Sequence, residues 1–129
     1  MELNQWFEKG FTTEEYIGQM TVNKEEFVGI YERFSLSEEQ KERLKPLTEK
    51  NLRVIVLTED WCGDALLNNP VLLKIADELN IDVRFLLRDK NLQLMDQYLT
   101  NGKSRSIPIF IFIDENGEER VVWGPRAPE

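Results

Sequence analysis

The chain has 129 residues, 24 Asp and Glu against 16 Lys and Arg, a formal net charge of -8, 41% hydrophobic and 31% charged residues. This composition describes one soluble globular domain. It holds no run of about 20 apolar residues that could span a membrane, and Met1-Glu2-Leu3-Asn4-Gln5 starts no secretory signal. Its acidity disfavours nucleic acid as a partner. The absence of histidine and the single cysteine exclude a Ser-His-Asp triad, a Cys-His pair, a histidine-ligated metal, an intrachain disulfide and a dithiol or multi-cysteine metal centre. Together with the missing signal they point to the cytoplasm.

The first 50 residues read as helical. Thr12-Thr13-Glu14-Glu15 offers a capping box, with Thr12 as the cap and Glu15 reaching back. Asn23-Lys24-Glu25-Glu26 opens another helix, whose Phe27, Ile30, Tyr31 and Phe34 follow helical spacing. Ser37-Glu38-Glu39-Gln40 repeats the box chemistry; Leu44 and Leu47 continue that apolar face, and Pro46 disturbs the helix near its end. Trp6, Phe7, Phe11 and Tyr16 make the region aromatic, as packed helix faces do. From Leu52 the period changes. Leu52-Arg53-Val54-Ile55-Val56-Leu57 is a continuous β-prone run, as expected for a strand covered on both faces. A helix over 64–79 follows, then a strand over 82–87, a helix from 91 to about 100 ended by Asn101-Gly102, a strand over 109–113, a turn at Asp114-Glu115-Asn116-Gly117 and a strand over 119–123. A helical crossover makes the first two strands parallel, and the last two form an antiparallel hairpin. Asp114 to Glu118 resembles calcium ligands only superficially; it lacks the EF-hand spacing and reads as a turn.

The segment that carries chemistry is Thr58-Glu59-Asp60-Trp61-Cys62-Gly63-Asp64-Ala65. It runs from a buried strand into a long helix, so Cys62 falls at a helix N-terminus. Unpaired N–H groups and the positive end of the helix dipole favour a thiolate there. Asp64, Glu59 and Asp60 oppose it with negative charge.

The order strand, Trp61-Cys62-Gly63, a helix containing Pro70, then Ile107-Pro108, a hairpin and Gly124 resembles the thioredoxin family. Within it, the likeness is to bacterial thioredoxin-like proteins whose site starts Trp-Cys-Gly-Asp. It covers roughly Leu52 to Gly124. The resemblance implies an α/β thioredoxin-like fold: a central mixed four-stranded sheet in the order β-α-β-α-β-β with additional N-terminal helices. Residues 1–129 form a single domain, with 1–50 as a helical extension and 51–126 as the core. It also implies a cis Pro108 in a loop facing the cysteine, with Ile107 offering its backbone to an extended peptide. The departures are specific. Ala65 replaces the family's second cysteine, so one molecule cannot resolve its own mixed disulfide. Asp64 replaces the motif's proline. Val56 and Phe85 stand where the family has a buried Asp and a Lys, removing that proton-handling pair. The closing helix is missing, or the N-terminal helices cover that face instead.

Two functions follow. One is monothiol thiol–disulfide exchange: Cys62 is the catalytic thiol, Trp61, Gly63, Asp64, Ile107 and Pro108 form the substrate surface, and an external thiol, either a small cytosolic thiol or a second protein, resolves the intermediate. The other is a redox-inactive module binding a protein or peptide in the same groove. Arg105 has two readings as well, a partner for a thiolate or a ligand carboxylate and a solvent-facing side chain. Carriage of an iron–sulfur cluster fits less well, because Cys62-Gly63-Asp64-Ala65 differs from the Cys-Gly-Phe-Ser of monothiol glutaredoxins. No cofactor and no metal is implied.

Overall fold

The structure is a computed structural model and describes residues 2–46 and 51–124. Leu47, the boundary at Lys50, Pro125 and Arg126 lie outside the described residues. Before the sheet come α1 (Leu3–Lys9), α2 (Thr13–Gln19), α3 (Lys24–Arg33) and α4 (Glu38–Leu44). Thr12 and Ser37 cap α2 and α4 with complete capping boxes, Glu15 and Gln40 reaching back to the cap N–H groups. Asn23 precedes α3 in the left-handed region, φ 63°, and makes no side-chain cap. Its side chain donates instead to the Asp60 carbonyl at 3.1 Å. α4 ends before Pro46 and buries no side chain fully.

The sheet contains β1 (Arg53–Thr58), β2 (Asp82–Leu87), β3 (Ile109–Ile113) and β4 (Glu119–Trp123) in the order β2-β1-β3-β4. β1 and β2 are parallel, with Thr58 opposite Leu87. β3 runs antiparallel to both β1 and β4. α5 (Gly63–Leu79) links β1 to β2 and passes through Pro70 without ending. Alternation along each strand divides the core in two. Ile55, Leu57, Ile109, Ile111 and Ile113 meet Trp6 and Phe7 of α1 on one face. Val54, Val56, Val83, Phe85 and Phe110 meet Leu72, Leu73 and Ala76 of α5, with Tyr16 and Phe27, on the other. This two-sided cover is why β1 reads as an unbroken apolar run. Phe11 adds one further rung, exchanging backbone hydrogen bonds of 2.8 Å with Phe85 at the β2 edge.

The expected helix from 91 to about 100 is much shorter. A 3-10 turn (Arg88–Lys90) leads into α6 (Leu92–Met95). Beyond Met95 the N–H groups of Gln97 and Tyr98 reach back only three residues, to Leu94 and Met95. Side chains then hold this stretch elsewhere: Asp96 pairs with Arg105, and the Tyr98 hydroxyl donates to Glu119 at 2.6 Å. Asn101 and Gly102 do take left-handed conformations, so the turn stands where the residues place it and the helix stops earlier.

The face that carries α5 is covered unevenly. α2 and α3 flank α5 toward β2. Toward β4, Phe110, Phe112, Val121 and Trp123 line an open apolar groove with Val71, Leu72 and Ile75 of α5. The N-terminal helices therefore cover the β2 side of this face and leave the β4 side open.

Candidate functional site

The site forms where parallel strands end. β1 and β2 finish in register, so Glu59-Asp60-Trp61 and Arg88 emerge side by side from the same edge of the sheet. The first of these segments turns into α5, whose N-cap is Cys62 in an extended conformation, φ -81° and ψ 124°. The loop before β3 completes the site. Its Ile107–Pro108 peptide bond is cis, and the Ile107 carbonyl oxygen accepts a hydrogen bond from the Cys62 thiol at 3.6 Å.

Cys62 is half-buried and Trp61 beside it is 50% exposed, the indole forming one wall. Gly63 is exposed at the first position of α5 and has open space where a Cβ would stand. Asp64 follows in the first turn of the helix, favourable against the dipole. Ala65 is buried. Ile107 and Pro108 are both buried, the Ile107 side chain packing in the core, and the Ile107 N–H and carbonyl make no backbone–backbone hydrogen bond among the described residues. Trp61, Cys62, Gly63 and the Ile107 backbone thus share one surface, while the Ile107 side chain is structural. Beneath them Val56 and Phe85 pair across β1 and β2, both wholly buried.

The acidic residues of the segment are bound to their surroundings. Glu59, 8% exposed, accepts the Asp89 N–H at 3.0 Å. Asp60 accepts the N–H groups of Thr21 at 2.8 Å and Val22 at 3.2 Å, tying the turn between α2 and α3 to the cysteine loop. Such charge-assisted bonds partly offset the negative charge that the sequence sets around Cys62.

Arg105 makes a two-pronged pair with Asp96, at 2.7 and 3.1 Å. The cation on Trp61 is Arg88, its guanidinium 4.9 Å from the ring centroid. Arg88 also donates to Asp89 at 3.0 Å and to the Arg105 carbonyl at 3.2 Å, joining the Trp61 segment to the loop of Pro108. Sequence reasoning passed over Arg88, although its place directly after the second strand was a signal, since parallel strands bring their C-terminal ends together. From the sequence Tyr16 reads as one aromatic residue of a packed helix face. It stacks on Phe85, centroids 4.3 Å apart, and its hydroxyl meets Thr58. Thr58 in turn accepts from Asn69 of α5 at 3.0 Å. Burial is the chief reason the Tyr16 phenol is pushed up to about 12; Thr58 opposes this, and the negative charges of Asp60, Glu59 and Cys62 add to it. A buried polar cluster reaching from an N-terminal helix thus lies behind the cysteine loop.

A family model described as thioredoxin matches residues 10–129. Among solved structures, a protein of unknown function from Pseudomonas aeruginosa superposes with a TM-score of 0.80 at 18% identity, over 98% of this chain and 78% of its own. An HIV epitope scaffold gives 0.78 at 19% identity with the same two coverages. At these identities the likeness is one of fold. The matched range takes in α2, α3 and α4 and the superposed length 98% of the chain, whereas the motif resemblance begins only at Leu52. No curated protein matches the sequence.

Proposed function

The chain belongs to the thioredoxin family, and on that premise we propose that it performs monothiol thiol–disulfide exchange through Cys62. The Cys62 thiolate attacks one sulfur of a disulfide RS–SR′. A Cys62–S–S–R bond forms, the S–S bond breaks, and R′S⁻ leaves with the electron pair. An external thiolate then attacks the R sulfur, releasing Cys62 and a new disulfide. The second thiol comes from outside because Ala65 stands in the family's second cysteine position. The observation that most supports this reading is the placing of Cys62: a half-buried thiol at the N-cap of a 17-residue helix, facing the Ile107 carbonyl. Trp61, Gly63 and Asp64 border the approach. The Ile107 N–H beside Pro108, which makes no backbone–backbone hydrogen bond among the described residues, suits an extended peptide. Protein or peptide disulfides and a small thiol of the cytoplasm are the partners this reading implies.

The buried Val56 and Phe85 favour a second reading, a peptide-binding module without turnover, since neither can handle a proton. One experiment separates the two. Partners are captured under oxidising conditions with the intact chain and with Cys62→Ser, and recovered with and without reductant. Exchange requires reductant-sensitive adducts with the intact chain and none with the serine variant. Equal, reductant-insensitive recovery by both would establish the binding module.

A further inference from the structure

We propose that Arg88 makes Cys62 selective for disulfides that carry a carboxylate close to the reacting sulfur. The inference deepens the exchange reading and rests on it. Arg88 is held in place before any ligand arrives. Its guanidinium lies on the Trp61 ring at 4.9 Å, Nε donates to Asp89 and Nη1 to the Arg105 carbonyl, and the side chain is only 20% exposed. Nη2 makes no hydrogen bond among the described residues. A stacked guanidinium loses little freedom on binding, is weakly hydrated, and presents a planar fork suited to a carboxylate. Trp61 directly precedes Cys62 in the chain, and an anion on this fork is taken to belong to a molecule whose sulfur reaches the thiol.

The surrounding charges make this a local effect. Glu59 and Asp60 are bound to backbone N–H groups, and Asp96 is paired with Arg105. Asp89 shares Arg88 but is 60% exposed, where solvent screens it. Asp64 follows Cys62 in sequence, in the first turn of α5, where the helix dipole favours its charge. The net charge of -8 repels an anion at long range, so the preference comes from contact with Arg88 and outlasts screening of the wider field by salt.

The test uses matched two-carbon disulfides: bis(2-carboxyethyl) disulfide, neutral bis(2-hydroxyethyl) disulfide and cationic cystamine. Adduct formation on the full chain is followed by intact mass at 0.15 M salt. The readout is the ratio of the anionic to the cationic rate, because a change in thiol reactivity cancels in it. We expect Arg88→Gln to lower this ratio about fivefold, the scale of a partly exposed ion pair, and Arg88→Lys to lower it less. Oxidised glutathione and blocked cysteine peptides bearing Glu or Lys next to the sulfur show whether a small thiol or a peptide supplies the carboxylate. A ratio equal in the parent and in Arg88→Gln overturns the proposal while leaving exchange intact. A parent chain that forms no adduct even with the neutral disulfide overturns the exchange reading and this proposal together.

Discussion

Glu59 and Asp60 stand within three residues of the candidate nucleophile, and both carboxylates are bound to backbone N–H groups of neighbouring loops. Asp60 is therefore a fastening between the cysteine loop and the N-terminal helices. Asp60→Ala leaves the Thr21 and Val22 donors without their acceptor and should cost about 2 kcal/mol in urea unfolding. Tyr16 makes a prediction of its own. Its ordinary value of 10.0 is raised to about 12 in the fold, so the folded state prefers the neutral phenol. That contribution is fully present below pH 10 and is lost as pH rises toward 12, because the unfolded chain then ionises more readily. Tyr16→Phe should cost about 1 kcal/mol at neutral pH for the Thr58 contact and should make the loss of stability between pH 10 and 12 shallower. Parallel alkaline limbs for the variant and the parent chain would contradict this. Neither tie was legible in the sequence. Asp60 reads as local negative charge and Tyr16 as core until α2 (Thr13–Gln19) is placed against β2 (Asp82–Leu87), far along the chain, and no local pattern reports that placing.

At the scale of elements, strand and cap chemistry were largely legible and the crossover after β2 was not. The capping boxes at Thr12 and Ser37 are local interactions, so residue type and spacing suffice to find them. β2, β3 and β4 keep the bounds their patterns indicate, because two-residue periodicity and the Asp114 to Gly117 turn are local too. α6 is shorter than its sequence pattern indicates because its length is decided by distant partners, Arg105 for Asp96 and Glu119 for Tyr98. Gly124 shows an element positioning the site from behind. It has φ 125°, and a Cβ there would lie 2.2 Å from the Pro108 carbonyl oxygen. Gly124→Ala should therefore push the end of β4 off the Pro108 loop, slow Cys62 adduct formation, and cost about 3 kcal/mol through strain and clash. Unchanged stability would mean that the two backbones are not so closely packed.

For the whole molecule, the notable feature is that the N-terminal helices supply both faces of the sheet. α1 covers one face with Trp6 and Phe7, while α2 and α3 bring Tyr16 and Phe27 to the other. The aromatic residues of this region announced packing, but not that it is divided between the two faces. Shared cores of this kind predict one cooperative unit. Tryptophan fluorescence and far-ultraviolet circular dichroism should give coincident urea transitions, and an early separate loss of helix would show the N-terminal segment to be an independent layer. Phe27→Ala, in a fully buried ring, should lower the stability of that whole unit by about 3–5 kcal/mol.

The central claim is that Cys62 exchanges disulfides and returns to the free thiol with help from outside. Its most direct test is intact mass of the native chain after adding bis(2-hydroxyethyl) disulfide and then an excess of reduced small thiol. We expect a single adduct on Cys62, formed faster than on the urea-unfolded chain at the same pH, and its release by the added thiol. An adduct that forms no faster in the folded chain than in the unfolded one would contradict the claim and leave the fold as a binding scaffold.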